Sequence, residues 1–256
     1  MNIKLPTKIN LLLQRVPPKG IYLSSWMNKN GISYGLQRHY KESHWLTPIG
    51  TGAFVRTGET PSTYGAVWSL NEQAGKHFSI AAMSALEIHG FAHYLPMGKQ
   101  TLTLFSPKGE PLPTWFTHYD WPMIVRSHFT DFLDKDEGMT LMTLDGFPLQ
   151  VSSPERAFME CLHLAPRYYN ITDLYYVMET LSILRPLNVQ TLLEKCKSVK
   201  VRRLFLYMAE KAEHNWFNAL DLSKISLGSG KRMIVKNGTY NHKYQITIPK
   251  DLANAE

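Results

Sequence analysis

The residues of this chain best equipped for chemistry are Tyr34, Gln37, Arg38 and Lys41, which recur at helical spacing. Positions three and four apart on a helix share a face, so these four side chains form one surface. Arginine and glutamine make paired hydrogen bonds to base edges in a DNA major groove, and lysine and arginine hold phosphates. Ser33, just before them, suits the N-cap of that helix. Arg56, at the end of the Ala53-Phe54-Val55 strand, would add a phosphate contact from a wing. The chemistry on offer is recognition of a nucleic acid.

A second basic set lies towards the other end. Lys200, Arg202 and Arg203 belong to the segment KSVKVRR, at the first turn of an amphipathic helix that continues through Leu204, Phe205 and Met208. Cations at a helix N-terminus oppose the macrodipole, and a bound anion relieves that penalty. Lys231 and Arg232 follow a glycine hinge, Gly228-Ser229-Gly230, that would present them to phosphates. These five residues are the candidate phosphate-contacting surface, though a solvated basic face would read the same way.

Other constellations fail on spacing. A Walker A loop needs glycine at position 225 and Ser or Thr at 232, where the chain has Ile225 and Arg232. Gly50-Thr51-Gly52 has Val55 where a dinucleotide fingerprint needs its third glycine. His89 and His93 stand four apart, but Gly90 interrupts them and the glutamate of a zinc-protease helix is absent. Asp134, Asp136 and Glu137 read as a solvated turn, and Ser152 and Ser153 as capping residues. No metal, cofactor or catalytic set is expected, and the chain reads as a non-enzyme.

The elements that must position the recognition surface lie between Tyr22 and Arg56. YLSSWMNKN reads as a first helix with Leu23, Trp26 and Met27 inward, and Gly31 supplies the positive φ of a tight interhelical turn. A second helix buries Leu36 and Tyr40, and Trp45, Leu46 and Ile49 close the core beneath it. Gly50 and Gly52 then turn the chain into a β wing. This order predicts a winged helix-turn-helix, although a three-helix packing unit without DNA has the same pattern.

Charge distribution agrees with a polyanionic partner. Residues 1–60 hold eight Lys and Arg against Glu42 and Glu59, and residues 197–250 hold eleven against Glu210, Glu213 and Asp221. Between them, residues 61–196 hold nine basic and fourteen acidic residues. Two basic ends thus flank an acidic middle. Cys161 and Cys196 lack metal or redox spacing and read as reduced buried thiols. Ile9–Leu13 is too short for a signal peptide, and the apolar stretch Phe78 to Leu95 carries Glu87, His89 and His93, so no membrane span is expected. The expected compartment is the cytoplasm.

Further along, helices are expected over Tyr64–Lys76 and Ser79–His89. Strands follow at Thr101–Phe105, Leu112–Thr117, Met123–Phe129, Thr140–Leu144 and Phe147–Val151, the last pair joined by an Asp145-Gly146 turn. Helices return after Ser153-Pro154, with Thr172 and Asn188 as later caps, and a final hairpin is expected to turn at Asn237-Gly238. The texture changes near Leu95–Gln100. The expected architecture is α+β: a winged helix-turn-helix domain over 1–95, followed by a mixed α/β domain over 96–256.

The segments PPKGIYLSSWMNKNGISYGLQRHYKESHWLTPIGTGAFVR, SALEIHGFAHYL, LPTWF, VSSPERAFMECLHLAP, KVRRLFLYMAEKAEHNWF and LGSGKRMIVKNGTY occur in this order over nearly the whole chain. Together they resemble the AbiEi-type antitoxins of bacterial type IV toxin–antitoxin (abortive infection) systems. The resemblance implies a DNA-binding autorepressor that binds inverted repeats in its own promoter. It further implies an antitoxin that counteracts a nucleotidyltransferase-like toxin without a stable complex, and a possible dimer on DNA. The family's recognition-helix positions fall on Ser33, Tyr34, Gln37, Arg38 and Lys41, with Arg56 on the wing. Antitoxin activity is expected from Lys200, Arg202, Arg203, Lys231 and Arg232. A rival reading is an RNA-binding protein acting through its basic C-terminal half.

Overall fold

A computed structural model describes residues 7–91 and 98–254 of the chain. His93, Lys4 and the boundary expected at 95/96 lie outside the described residues.

The first unit runs α1 (Lys8–Arg15), β1 (Tyr22–Leu23), α2 (Ser24–Lys29), α3 (Tyr34–Glu42), β2 (Leu46–Gly50) and β3 (Ala53–Arg56). The strands form a sheet in the order β1-β3-β2, so three helices precede an antiparallel β2–β3 hairpin that β1 extends. Ile9, Leu12, Val16, Tyr22, Met27, Ile32, Tyr40 and Leu46 make its core. Gly31 has φ of 82° in the turn between α2 and α3, where a Cβ would be strained. Tyr22 and Leu23 form a strand, not the first turn of a helix as their sequence suggests. They pair with Phe54 and Ala53, and that ladder outweighs local propensity. The outer edge of β1 is met by side chains. Ser69 and Gln73 of α4 (Thr63–Ala74) accept from the Ile21 and Leu23 amides at 3.0 and 2.8 Å and both donate to the Ile21 carbonyl. An edge strand is thereby closed without another strand.

The second unit is built on a five-stranded sheet in the order β6-β5-β4-β8-β7. Its strands are β4 (Ser79–Ile80), β5 (Thr101–Ser106), β6 (Ile124–Phe129), β7 (Met139–Leu144) and β8 (Phe147–Ser152). Helix α5 (Ala82–Ile88) precedes β5, and α6 (Thr114–His118) lies between β5 and β6. Ser79 and Ile80 were expected in a helix but form the central strand, antiparallel to β5 and parallel to β8. One core cluster accordingly runs from Ile21 to Leu252, so residues before and after the 92–97 segment share it. Leu112–Thr117, expected as a strand, instead starts α6 after an extended Pro113; burying Trp115 and Phe116 on one side of a helical turn favours the change. Asp145 and Gly146 have φ of 48° and 85°, the left-handed pair of a two-residue hairpin turn, as expected.

Helices α7 (Pro154–Leu164), α8 (Ile171–Thr180), α9 (Pro186–Lys195) and α10 (Val199–Lys211) cover the sheet. Ser153 caps α7 as expected, accepting from the Arg156 amide. The cap of α8 is Asn170, whose Oδ1 accepts from the Thr172 amide at 2.7 Å, and α9 begins at Pro186, leaving Asn188 inside it. The C-terminal strands are β9 (Arg232–Met233), β10 (Thr239–Asn241) and β11 (Ile246–Ile248), before α11 (Lys250–Asn254). They do not form the hairpin expected at Asn237-Gly238. Strand β11 lies in the middle, parallel to β9 and antiparallel to β10, so the tight connection spans 242–245. No helix among the described residues is long and apolar enough to cross a membrane.

Candidate nucleic-acid interface

Helix α3 begins at Ser33, whose Oγ accepts from the Leu36 amide at 3.3 Å. That hydroxyl is engaged in capping. From there the helix divides into two faces. Gln37 and Tyr40 point into the core, with Leu36 half-buried beside them, while Tyr34, Arg38 and Lys41 face solvent. Tyr34 is 62% exposed. The exposed set falls at i, i+4 and i+7, a continuous stripe along the helix.

Gln37 is therefore a correction. It is only 3% exposed. Its Nε2 donates to the carbonyls of Ser24 and Ile32 at 3.0 and 2.9 Å, and its Oε1 accepts from Ser24 Oγ at 2.5 Å. A glutamine so engaged cannot reach a base edge; it locks the turn between α2 and α3. Sequence spacing alone does not separate 37 from 38, because residues 100° apart can both border one face.

Arg38 extends outward with 81% of its side chain exposed and pairs with Glu42 at 2.9 Å. An exposed i,i+4 pair contributes little to stability, so the guanidinium can exchange Glu42 for a stronger acceptor. Lys41 has no ion-pair partner among the described residues. Behind the helix, Arg15 donates to Asn30 at 2.8 Å and Lys8 to the Gly31 carbonyl at 3.4 Å, which brings two more cations to the interhelical turn. Trp45 was expected in the core but is 44% exposed; it follows His44, whose φ of 55° turns the chain outward.

The wing is short. Only Thr51 and Gly52 connect β2 to β3, the Gly52 carbonyl accepts from the Ser24 amide at 2.8 Å, and an added Cβ on Gly50 would sit 2.7 Å from that of Trp115. The tip leans on the second unit, and glycine is required for that approach. Arg56 is not at the tip. It stands opposite Leu46 at the open end of the hairpin, near the chain leaving α3, with Glu59 at 3.7 Å. Glu59 also accepts from the Lys19 amide. Burial, with Glu59 nearby, pushes the Tyr22 hydroxyl up to about 12.

The C-terminal basic set separates in the same way. Lys200 Nζ donates to the His163 and Ala165 carbonyls, both at 2.7 Å, and burial lowers its pKa. Arg202 donates to the Cys196 carbonyl at 2.6 Å. Arg203, 1% exposed, donates to the carbonyls of Leu227, Gly228, Gly230 and Gln245. Lys200 and Arg203 therefore do not form an outward basic surface: they hold backbone in place. What they hold is informative, because the loop gripped by Arg203 leads directly to Lys231 and Arg232. Both are exposed, and Lys231 Nζ lies 5.2 Å from the centre of the Tyr240 ring.

A buried charge network escaped sequence reasoning. Arg156 Nε donates to Glu160 at 2.7 Å, and its NH1 donates to the Asp134 and Glu137 carbonyls, each at 2.6 Å. Glu160 also accepts from the Ala82 amide and Ser152 Oγ. The i,i+4 Arg–Glu spacing within VSSPERAFMEC was its only signal. The network joins α5, β8 and α7 and is structural. His89 joins the same region, its Nε2 donating to the Ser152 carbonyl at 3.1 Å. Both cysteines are buried and their thiols pushed up by burial, which leaves them unreactive.

Two family models match the chain. One, described as the N-terminal domain of AbiEi antitoxin transcriptional regulators, matches residues 6–97. The other, described as transcriptional regulator, AbiEi antitoxin, type IV TA system, matches residues 99–249. No curated protein matches. Among solved structures the chain is similar to the crystal structure of the RV2827C protein from Mycobacterium tuberculosis, with a TM-score of 0.60 and 16% identity over 96% of this chain and 92% of that one. At that identity the likeness concerns the fold.

Proposed function

The chain belongs to the AbiEi family of transcriptional regulators, the antitoxins of type IV toxin–antitoxin systems, and from that premise we propose that it represses its own operon by binding inverted repeats in its promoter through α3. The observation that carries this reading is the exposed stripe of Tyr34, Arg38 and Lys41 above a buried Gln37 and Tyr40. A helix of this form can lie in a major groove with Arg38 at a guanine edge and Lys41 on phosphate. Lys8, Arg15 and Arg56 border the same unit and supply further phosphate contacts. Inverted repeats imply two copies on the duplex, one per half-site.

The antitoxin role belongs to the second unit. In this reading Lys231 and Arg232, presented by the loop that Arg203 fixes, contact phosphate or the target of a nucleotidyltransferase-like toxin, and no stable complex with the toxin forms. The protein acts in the cytoplasm, with no catalytic step of its own.

The test is binding of the full chain to its own upstream duplex, against a scrambled duplex, over a salt series. Sequence-specific binding that is weakened in Arg38→Ala supports the proposal. Equal, weak binding to both duplexes overturns it and leaves residues 22–56 as a packing unit.

A further inference from the structure

Strand β6 is an edge of the five-stranded sheet and, among the described residues, pairs with β5 alone. Ile124, Arg126 and His128 alternate onto one of its faces, with Arg126 opposite Thr103 and His128 opposite Phe105. The chain leaving α7 passes beside this face. There the Tyr168 ring meets the His128 ring edge-on at 4.7 Å, and the Arg167 guanidinium lies 5.2 Å from the centre of the Tyr168 ring. Arg126 and Arg167 are both exposed, and Tyr168 is 39% exposed.

The charges of this cluster are of one sign. Neither Arg126 nor Arg167 has an ion-pair partner among the described residues. Burial first, then the charges of Arg126 and Arg167, hold the His128 imidazole below its ordinary range. His163, further along, is lowered by burial, by Lys200 and by His128. The acid acting on that histidine is Asp131, which is already paired with Lys108 at 3.1 Å. Like charges held together without a counterion are costly, and a bound anion relieves that cost. The rings add a second requirement. A stacking platform beside cations suits an unpaired base joined to its phosphate, whereas a duplex hides its base faces.

We infer that Arg126, Arg167, His128 and Tyr168 form a binding site for single-stranded nucleic acid, separate from α3, with the two guanidiniums on phosphate and the Tyr168 ring against a base. Nothing in this depends on duplex binding by α3, and the two are separable by mutation.

The experiment uses the full chain and fluorescently labelled single strands, one of RNA and one of DNA, of the same mixed sequence. Tyr168→Ala should weaken binding about tenfold, since one stacked base is worth roughly that by alanine substitution. Tyr168→Phe, which keeps the ring, should bind like the parent chain. Removing both guanidiniums in Arg126→Ala/Arg167→Ala should lower the salt slope by about 1.4, at about 0.7 per single-strand phosphate contact. Arg38→Ala should leave single-strand affinity unchanged. Tighter RNA binding assigns a role to the 2′-hydroxyl, and equal binding assigns recognition to phosphate and base alone. Unchanged affinity in both the Tyr168→Ala and the double arginine variant overturns the site. So does equal binding of polyglutamate with no loss in Tyr168→Ala, which would point to a generic acidic partner.

Discussion

Gln37 and Ser24 hold each other twice: Ser24 Oγ donates to Gln37 Oε1 at 2.5 Å, and Gln37 Nε2 returns a bond to the Ser24 carbonyl at 3.0 Å. This clasp joins the first residue of α2 to the middle of α3. The same Ser24 also receives the wing, through its amide bond to Gly52. The orientation of the exposed stripe on α3 therefore depends on a polar contact made by a buried glutamine to a half-buried serine.

Gln37→Ala should destabilise the protein by about 1–3 kcal/mol, because it leaves buried polar groups of Ser24 and Ile32 without partners. Urea unfolding would measure it. The folded protein should keep its sequence preference. Loss of that preference at unchanged stability would return Gln37 to the role of a base reader.

Arg38→Ala should cost about 1–3 kcal/mol of specific binding and relax the preference at one base position. Stability should barely change, since the pair it breaks with Glu42 is exposed. Competition against operators varied one base at a time would reveal the position. A uniform loss across all sequences would reduce Arg38 to a phosphate contact.

Lys41→Ala should weaken binding on every duplex alike and reduce the salt slope by about 0.9, the release expected from one phosphate contact on B-DNA. Titrations at several salt concentrations would read it. A slope equal to that of the parent protein argues against contact at this lysine.

Arg203→Met and Arg232→Ala should behave oppositely although the two residues belong to the same basic set. The first leaves the carbonyls of Leu227, Gly228, Gly230 and Gln245 without their charged donor and should cost about 3 kcal/mol or more. The second removes an exposed side chain and should stay within about 0.5 kcal/mol. Thermal unfolding separates them. Near-equal midpoints would mean that the 227–230 loop does not depend on Arg203.

His128 and His163 give a pH dependence with a definite sign. Both have folded pKa values below the ordinary 6.5, so below about pH 6.5 the unfolded chain binds more protons than the folded one. Stability is then greatest above about pH 6.5 and falls as pH drops towards the folded values. Burial is the first cause at both; Arg126 and Arg167 add to it around His128, and Lys200 and His128 around His163, where Asp131 acts in the opposite direction. Carboxylates held low by partners, such as Asp134 beside Lys197, act in a separate and more acidic window. Unfolding free energies at pH 7.5 and 5.5, for the parent and His128→Gln, would check this; a smaller drop in the variant is expected. Equal drops would place the effect elsewhere.

Much of the architecture was legible because it rests on local chemistry. Gly31 at the interhelical turn, Ser33 and Ser153 as caps, Asp145-Gly146 as a hairpin turn and the alternation of β6 to β8 each depend on a few neighbouring residues. Elements whose identity is set by distant partners were misread. Ser79-Ile80 is a strand because β5 and β8 flank it, and Tyr22-Leu23 because β3 does. The C-terminal strands pair through β11 and not through Asn237-Gly238.

The amino-acid order by itself determined that a polar, partly cationic face would lie on a short helix after a glycine turn, and that both ends of the chain would be basic. Only the tertiary structure decided which of those polar groups face water. Gln37, Lys200 and Arg203 are polar or cationic like their exposed neighbours, but each meets backbone carbonyls that folding would otherwise leave buried without these donors. A buried carbonyl left without a partner costs more than a solvated side chain gains. Those three therefore turned inward, while Arg38, Lys41, Lys231 and Arg232 remained exposed to solvent.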